Sequence, residues 1–334
     1  AHLPRRLAIC YYGWDWITAA LPGEAYGDLE RAVRETKERG FNCIRPDLGL
    51  GMLYDASGHP RGKLGFRARL PGANANLQCV DARGGGVHDV RERVMRLFAL
   101  ADQYDLYVIG TSWLYQDFLT DIADDGVREE LIRIPHNERL MMLARQWDWL
   151  LTELDARGLA HRMAMVELLN EIESTPCSTA AAHTPTFSEW EHGASPNAPA
   201  EQLRELAYRA VAYLRERHAA QLMTVDLGNA RHCSELLPEN AQVVDHHVYS
   251  ESVTLDIMAA AGLPAWSNEA TAPVLEGNDL LRALLKPEVM SWQALCDRAR
   301  GTRNVWRSFA WFYQNLDNAK YDAWCVEHFD ARRV

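Results

Sequence analysis

The sequence lacks any uninterrupted apolar run of the roughly 18 to 20 residues that a membrane-spanning helix requires. It also lacks an excess of positive charge, since 35 Lys and Arg stand against 46 Asp and Glu and give a net charge of −11. Because a negative protein repels a phosphate backbone, a nucleic acid is a poor partner. We therefore expect neither a membrane nor a nucleic acid as partner, and a neutral ligand fits this charge better.

Paired cysteine motifs are missing as well. The seven cysteines include no CxxC pair and no spacing typical of a disulfide scaffold, so we expect mostly reduced, buried thiols and no structural zinc. Cys10 and Cys43 fall within predicted strands. Reduced thiols favour a cytoplasmic protein. A secreted protein whose signal peptide was removed is the alternative, because the sequence begins with Ala1 rather than Met.

What the sequence does contain is a globular composition, 48% apolar and 24% charged, with eight short apolar segments that alternate with helical patterns. The predicted strands cover residues 7–12, 41–46, 106–110, 163–169, 222–226, 243–247, 264–268 and 308–312. Strands that are apolar on both faces belong to a sheet covered on both sides. Eight of them alternating with helices predict an α/β fold, a single (β/α)8 TIM barrel domain over residues 1–334.

The helical segments between these strands carry recognisable ends. One begins after Asp28 and ends at Gly40, and Asp89 can cap another. The competing architecture, an open doubly wound sheet, usually carries GxGxxG after its first strand. Residues 13–16 read Gly-Trp-Asp-Trp instead, which favours the barrel. The eighth strand has its own alternative, because residues 303–324 can be written as one long helix.

Two long loops are predicted, and each follows the carboxyl end of a strand. One covers residues 49–87 after the second strand, and the other covers residues 174–200 after the fourth. Barrel enzymes carry their sites on this face. The loops are therefore expected to shape a site, with a tolerated surface insertion as the alternative.

Two predicted strands end in an amide followed directly by a carboxylate. Asn170-Glu171 ends the fourth strand, and Asn268-Glu269 ends the seventh. Polar groups at the end of a buried strand need partners or a function. Two carboxylates at one barrel mouth can protonate a leaving oxygen and stabilise an oxocarbenium-like transition state. We therefore predict Glu171 as acid/base and Glu269 as nucleophile for the retaining hydrolysis of β-glycosidic bonds.

These residues, in this order, resemble the clan of (β/α)8 retaining glycosidases that includes the cellulase and mannanase family, and more loosely cellulase-like proteins of unassigned activity. The resemblance implies that Asn170 binds the 2-hydroxyl of the sugar being cleaved and that Arg45 contacts the nucleophile. It also implies substrate binding by His247 and Tyr249 of a His-x-Tyr motif after the sixth strand. Trp311, at the eighth strand, would be the family's aromatic platform.

The chain departs from this family pattern at two strand ends. Thr111-Ser112-Trp113 follows the third strand, where the family has a histidine, so this subsite must differ. Trp113 is the substrate-binding candidate there. Trp14 and Asp15, after the first strand, are further candidates without an assigned counterpart in the family.

Some residue assignments keep an alternative. Glu173 could share or replace the role of Glu171, and His246 is a neighbour available in place of His247. Arg45 could simply neutralise a buried acid such as Asp47.

Two other functions also remain open. One is a metal-dependent sugar isomerase, although the metal-binding motif HExxH is missing. The ligands of its divalent metal ion would come from carboxylates and imidazoles at strand ends, namely Glu167, Asp226, Asp245, His246, His247 and Glu269. The other is a non-catalytic carbohydrate-binding protein. The leading interpretation needs no cofactor or metal and takes a carbohydrate as partner, with short oligosaccharides or β-glycosides favoured by the long loops. The sugar and the oligomeric state do not follow from the sequence.

Overall fold

The structure is a computed structural model, and it describes a defined part of the chain. Described are residues 9–13, 15–18, 20–24, 26–38, 41–68, 84–112, 121–172, 200–227, 233–248, 265–270, 305–306 and 310–312. For the strands from Val244 onward, only the backbone is described.

Twelve strands are assigned within the described residues. They are β1 Ile9–Gly13, β2 Cys43–Pro46, β3 Lys63–Ala68, β4 Gly84–Asp89, β5 Tyr107–Gly110, β6 Met163–Glu167, β7 Met223–Thr224, β8 Asp226–Leu227, β9 Val244–Val248, β10 Ala265–Ala270, β11 Val305–Trp306 and β12 Ala310–Phe312. All but β3 and β4 pair in parallel.

Eight α-helices are assigned within the described residues. They are α1 Asp15–Thr18, α2 Leu29–Glu38, α3 Leu50–Leu53, α4 Val90–Gln103, α5 Asp125–Arg133, α6 Arg139–Ala156, α7 Ala200–Arg217 and α8 Cys233–Leu236. The predicted cap of α4 is confirmed, because the Asp89 carboxylate accepts from the Glu92 backbone N–H. No helix in the described part of the chain is long and apolar enough to cross a bilayer.

The parallel strands form two sheets, ordered β12-β1-β2-β5-β6-β7 and β11-β10-β9-β8. Val225 alone separates β7 from β8, and residues 307–309 separate β11 from β12. The order of neighbouring strands therefore follows the chain and returns from its last strand to β1, as in a (β/α)8 barrel. The α/β prediction and the eight strand positions are confirmed, with the fifth and eighth strands each divided in two. The alternative of one long helix over residues 303–324 is wrong.

A small apolar cluster fills the inner face of the parallel strands. It is formed by Ile9, Cys43, Ile109, Ala164, Met165 and Val243, whereas Ile44, Val108 and Val166 belong to the larger cluster with the helices. Side chains two positions apart in a strand share a face. Arg45 and Glu167, two residues after Cys43 and Met165, therefore lie in the next layer toward the carboxyl ends of the strands.

The predicted buried thiols are confirmed for Cys10 and Cys43, which are both buried and form no disulfide. Burial raises the pKa of the Cys43 thiol well above its ordinary value, since the thiolate would lose its hydration. Cys43 is therefore a neutral apolar side chain in the inner layer.

The predicted loop after the second strand has structure of its own. It contains α3 and the antiparallel hairpin of β3 with β4, whose register pairs Lys63 with Asp89. Arg61 anchors it to α5 through two 2.8 Å hydrogen bonds to Glu130. Residues 69–83 and almost all of the second predicted loop, 174–200, lie outside the described residues.

Candidate active site

Arg45, at the carboxyl end of β2, is fully buried and binds side chains from two other strand ends. Its Nε donates to Glu167 Oε2 at 2.8 Å, and Nη2 donates to Asn170 Oδ1 at 2.6 Å. Nη2 also lies 3.4 Å from Asp226 Oδ2. We call Arg45, Glu167, Asn170 and Asp226 the Arg45 cluster, which brings β2, β6 and β8 together.

The Arg45 cluster places one cation with two carboxylates, all with fully buried side chains. Burying ions costs several kcal/mol each, and the mutual attraction of the ions only partly offsets that cost. Well-packed apolar residues of similar volume would often be at least as stable in such a place. The cluster is therefore better explained by what it holds in position than by its contribution to stability.

The backbone at Asn170-Glu171 is held from both sides. On one side the Asn170 N–H donates to Ser112 O at 2.9 Å. On the other side the Asp226 N–H donates to Leu169 O at 3.2 Å, and the Glu171 N–H donates to Asp226 Oδ2, also at 3.2 Å. These bonds fix the two residues between the third and fifth barrel strands.

Glu171 has a left-handed backbone, with φ of 47°. A non-glycine residue pays roughly 1 to 3 kcal/mol for such a conformation, and residues of this kind cluster at functional sites. Its side chain is half-buried, unlike the fully buried Asn170 before it. The strained turn ends β6 with an accessible carboxylate directly beside a buried amide.

The side-chain atoms Asn170 Nδ2 and Thr111 Oγ1, at this end of the barrel, are buried and have no hydrogen-bond partner among the described residues. Leaving a buried donor unpaired costs about 1 to 3 kcal/mol. A hydroxyl-rich ligand would offer the acceptor that the Asn170 amide needs.

The strand register also places two of the predicted residues side by side. Glu269 in β10 is the Cα partner of His247 in β9, while His246 is the partner of Leu227. Since β8, β9 and β10 are parallel neighbours, their carboxyl ends lie at the same end of the barrel as Asp226.

A model of the sugar-binding cellulase-like family matches residues 9–263, which is 255 of the 334 residues. The chain belongs to this family. No curated protein matches the sequence.

The solved structures similar to this cellulase-like chain include two glycosidases and a protein proposed to be one. A protein of Parabacteroides distasonis proposed to be a glycoside hydrolase has a TM-score of 0.61 at 14% identity, over 98% of this chain and 94% of its own. A GH5-4 broad specificity endoglucanase from an uncultured bacterium has a TM-score of 0.55 at 13% identity, over 92% of this chain and 87% of its own. The β-1,4-mannanase of the sea hare Aplysia kurodai has a TM-score of 0.53 at 12% identity, over 93% of this chain and 91% of its own. Similarity at identities this low bears on the fold alone, and it agrees with the barrel fold described above.

Of the remaining predicted site residues of the cellulase-like chain, some are located by their backbone positions only. The others lie outside the described residues. Trp311 in β12 is the register partner of Cys10 in β1, and Asp15 begins α1. Trp14, Trp113 and Tyr249 lie outside the described residues.

Glu167 and Asp226 are expected from the sequence only as metal ligands, and their pairing with Arg45 is not predicted. Their signal was present, because each is a carboxylate within an otherwise apolar strand. Among the described residues, no group of three or more His, Cys, Asp or Glu is arranged to hold a metal ion. The guanidinium of Arg45 is the cation that these two carboxylates share.

Proposed function

We propose that this cellulase-like chain is a retaining glycoside hydrolase with a single catalytic barrel domain over residues 1–334. Glu171 acts as acid/base and Glu269 as nucleophile on β-glycosidic bonds, with short oligosaccharides or β-glycosides as substrates. The observation that carries the proposal is the strained Asn170-Glu171 turn, which presents a half-buried carboxylate beside a buried amide donor.

The chemistry assigned to the two glutamates proceeds in two displacements. Glu269 attacks the anomeric carbon while Glu171 protonates the leaving oxygen, which gives a covalent glycosyl-enzyme. Glu171 then removes a proton from water, which attacks the same carbon and releases Glu269. Because the configuration inverts twice, the product keeps that of the substrate. This mechanism requires the carboxyl groups to lie roughly 5 to 5.5 Å apart.

Asn170 binds the sugar in this proposal, and the Arg45 cluster orients it. Arginine can only donate hydrogen bonds, so its 2.6 Å contact fixes the amide oxygen of Asn170 toward Arg45. The amide nitrogen is left to donate to the 2-hydroxyl. Further proposed sugar contacts come from residues at the other strand ends, namely Trp14, Asp15, Trp113, His247, Tyr249 and Trp311.

The test is hydrolysis of a panel of aryl β-glycosides, with NMR of the first-formed anomer. We expect the β-anomer first, and a loss of at least about 100-fold in turnover for Glu171→Gln and for Glu269→Gln. Glu129→Gln, an exposed glutamate on α5, is the matched control and keeps wild-type activity.

Three results would contradict the proposal. Wild-type hydrolysis by both glutamine variants excludes these roles. Oligosaccharide binding without cleavage over days points to a non-catalytic sugar-binding protein. Sugar isomerisation that is lost in chelator points to the metal-dependent alternative.

A further inference from the structure

We propose that Asp226 is a positioning residue, whose carboxylate holds the acid/base Glu171 in its left-handed backbone conformation. This inference rests on the proposed function of Glu171. Asp226 would not touch the substrate; it acts through the backbone of the residue that does.

Asp226 makes two bonds to the turn that ends β6. Its own N–H donates to Leu169 O at 3.2 Å, beyond the last register pair of β6 and β7. Its Oδ2 then accepts from the Glu171 N–H, also at 3.2 Å. These bonds bracket Asn170 and fix the peptide that precedes the Glu171 side chain.

The Asp226 carboxylate is itself fixed. It is fully buried, and the Oδ2 that receives the Glu171 N–H also lies 3.4 Å from Arg45 Nη2. The same Nη2 donates to Asn170 Oδ1. Arg45, Asn170, Glu171 and Asp226 thus form a closed ring of contacts, so the sugar-binding amide and the acid/base are aligned by one guanidinium.

Loss of the Asp226 carboxylate should therefore release Glu171 without removing the support of Arg45. In Asp226→Ala, Glu167 still pairs with Arg45 at 2.8 Å, so the buried cation keeps a carboxylate. In Asp226→Asn the amide oxygen can still accept from the Glu171 N–H. Comparing the two variants therefore separates the effect of the hydrogen bond to the Glu171 N–H from the effect of the negative charge of Asp226.

The experiment compares kcat/KM for two β-glycosides of one sugar, an alkyl glycoside and a 2,4-dinitrophenyl glycoside. Only the alkyl leaving group needs a proton from Glu171, and kcat/KM reports the first displacement. We expect Asp226→Ala to lose about 100-fold on the alkyl glycoside and only a few-fold on the dinitrophenyl glycoside. Glu171→Gln should show the same selectivity, and Asp226→Asn should recover most of the alkyl activity.

A crystal structure of each variant gives a readout that does not depend on turnover. We expect φ of Glu171 to leave the left-handed region in Asp226→Ala and to stay there in Asp226→Asn. If Asp226→Ala does not fold, Asp226→Ser replaces it, because the short hydroxyl keeps a polar atom beside Arg45.

The proposal is overturned if the alanine or serine variant loses equal activity on both glycosides, or if φ of Glu171 is unchanged. It is also overturned if Asp226→Asn shows no recovery while it folds normally. Failure of the proposed function looks different, because Glu171→Gln would then hydrolyse both glycosides like the wild type.

Discussion

The guanidinium of Arg45 donates a 2.6 Å hydrogen bond to the side-chain oxygen of Asn170, although 125 positions separate them in the sequence. Both residues are buried at the carboxyl ends of parallel strands, and both strands bound the same barrel interior. The contact decides which end of the amide faces the guanidinium and, in the proposed function, which end donates to the sugar. Several expected outcomes depend on this arrangement.

Replacing Arg45 should destabilise the protein strongly. In Arg45→Leu the buried carboxylates of Glu167 and Asp226 lose the cation between them, and breaking a buried pair in this way costs about 3 to 5 kcal/mol. Urea unfolding measures the loss. Arg133→Ala, which removes only an exposed pair with Glu129, should stay within about 0.5 kcal/mol of wild type. Similar values for the two variants would show that the buried cation has no special role.

Removing the Asn170 amide should weaken catalysis through the sugar's 2-hydroxyl. We expect kcat/KM of Asn170→Ala to fall about 10- to 100-fold on a normal glycoside, because one buried hydrogen bond is lost. On the matching 2-deoxy glycoside the variant and the wild type should differ much less. A double-mutant cycle with these two substrates measures the coupling. Equal losses on both substrates would exclude the 2-hydroxyl as the partner of Asn170.

The stability of the protein should decrease in acid partly through Glu153. Burial raises the pKa of the Glu153 carboxyl, but hydrogen bonds from Arg91, Tyr54 and Arg157 outweigh it and hold the pKa below its ordinary value. The folded state therefore binds the proton more weakly than the unfolded chain. The stabilisation is fully present above the ordinary pKa of 4.5 and is lost as pH falls through the lower, folded value.

The check on Glu153 is urea unfolding of the wild type and of Glu153→Gln at several pH values. We expect the variant to be less stable by about 2 kcal/mol at pH 7, because hydrogen bonds to a charged group are lost. The gap should narrow as the pH is lowered below 4.5. A gap that stays constant would mean that ionisation of Glu153 does not contribute.

A single methyl group at Gly110 should disturb the packing beneath the site. A Cβ there would lie 2.7 Å from Trp147 Cη2 and 2.9 Å from Leu48 Cδ1. We expect Gly110→Ala to lose about 1 to 3 kcal/mol in thermal or urea unfolding. Gly65→Ala is the matched control, because its Cβ would meet only Ala123 at an ordinary 3.6 Å. Comparable stability of both variants would contradict the close packing at Gly110.

The barrel strands were predictable because strands covered on both faces show as short apolar runs. The hairpin of β3 and β4 was not predicted from the sequence. The alternation in β3 is confined to the buried Leu64 and Phe66, and β4 begins with three glycines of positive φ. The division of the fifth strand at Val225 also left no sequence signal. It reflects pairing on two sides, with β6 before Val225 and with β9 after it.

The candidate site was predictable only as a series of strand ends. Arg45 lies at the end of β2 as predicted, because register in a parallel sheet follows from the apolar pattern. Asn170 and Glu171 come shortly after β6, which ends at Glu167, two residues earlier than the predicted strand. Which buried carboxylate pairs with Arg45 depends on contacts 122 and 181 positions apart. No local pattern encodes those contacts, so the places of Glu167 and Asp226 became visible only in the fold.

The neutral thiol of Cys43 sits one layer below Arg45, where bulk reagents have no access while the strands remain paired. Its rate of modification by a thiol reagent therefore reports how often the barrel interior opens to solvent. The Cys43 thiol is thus a native probe beneath the proposed catalytic centre. It can report loosening of the inner apolar layer of the barrel without an introduced label.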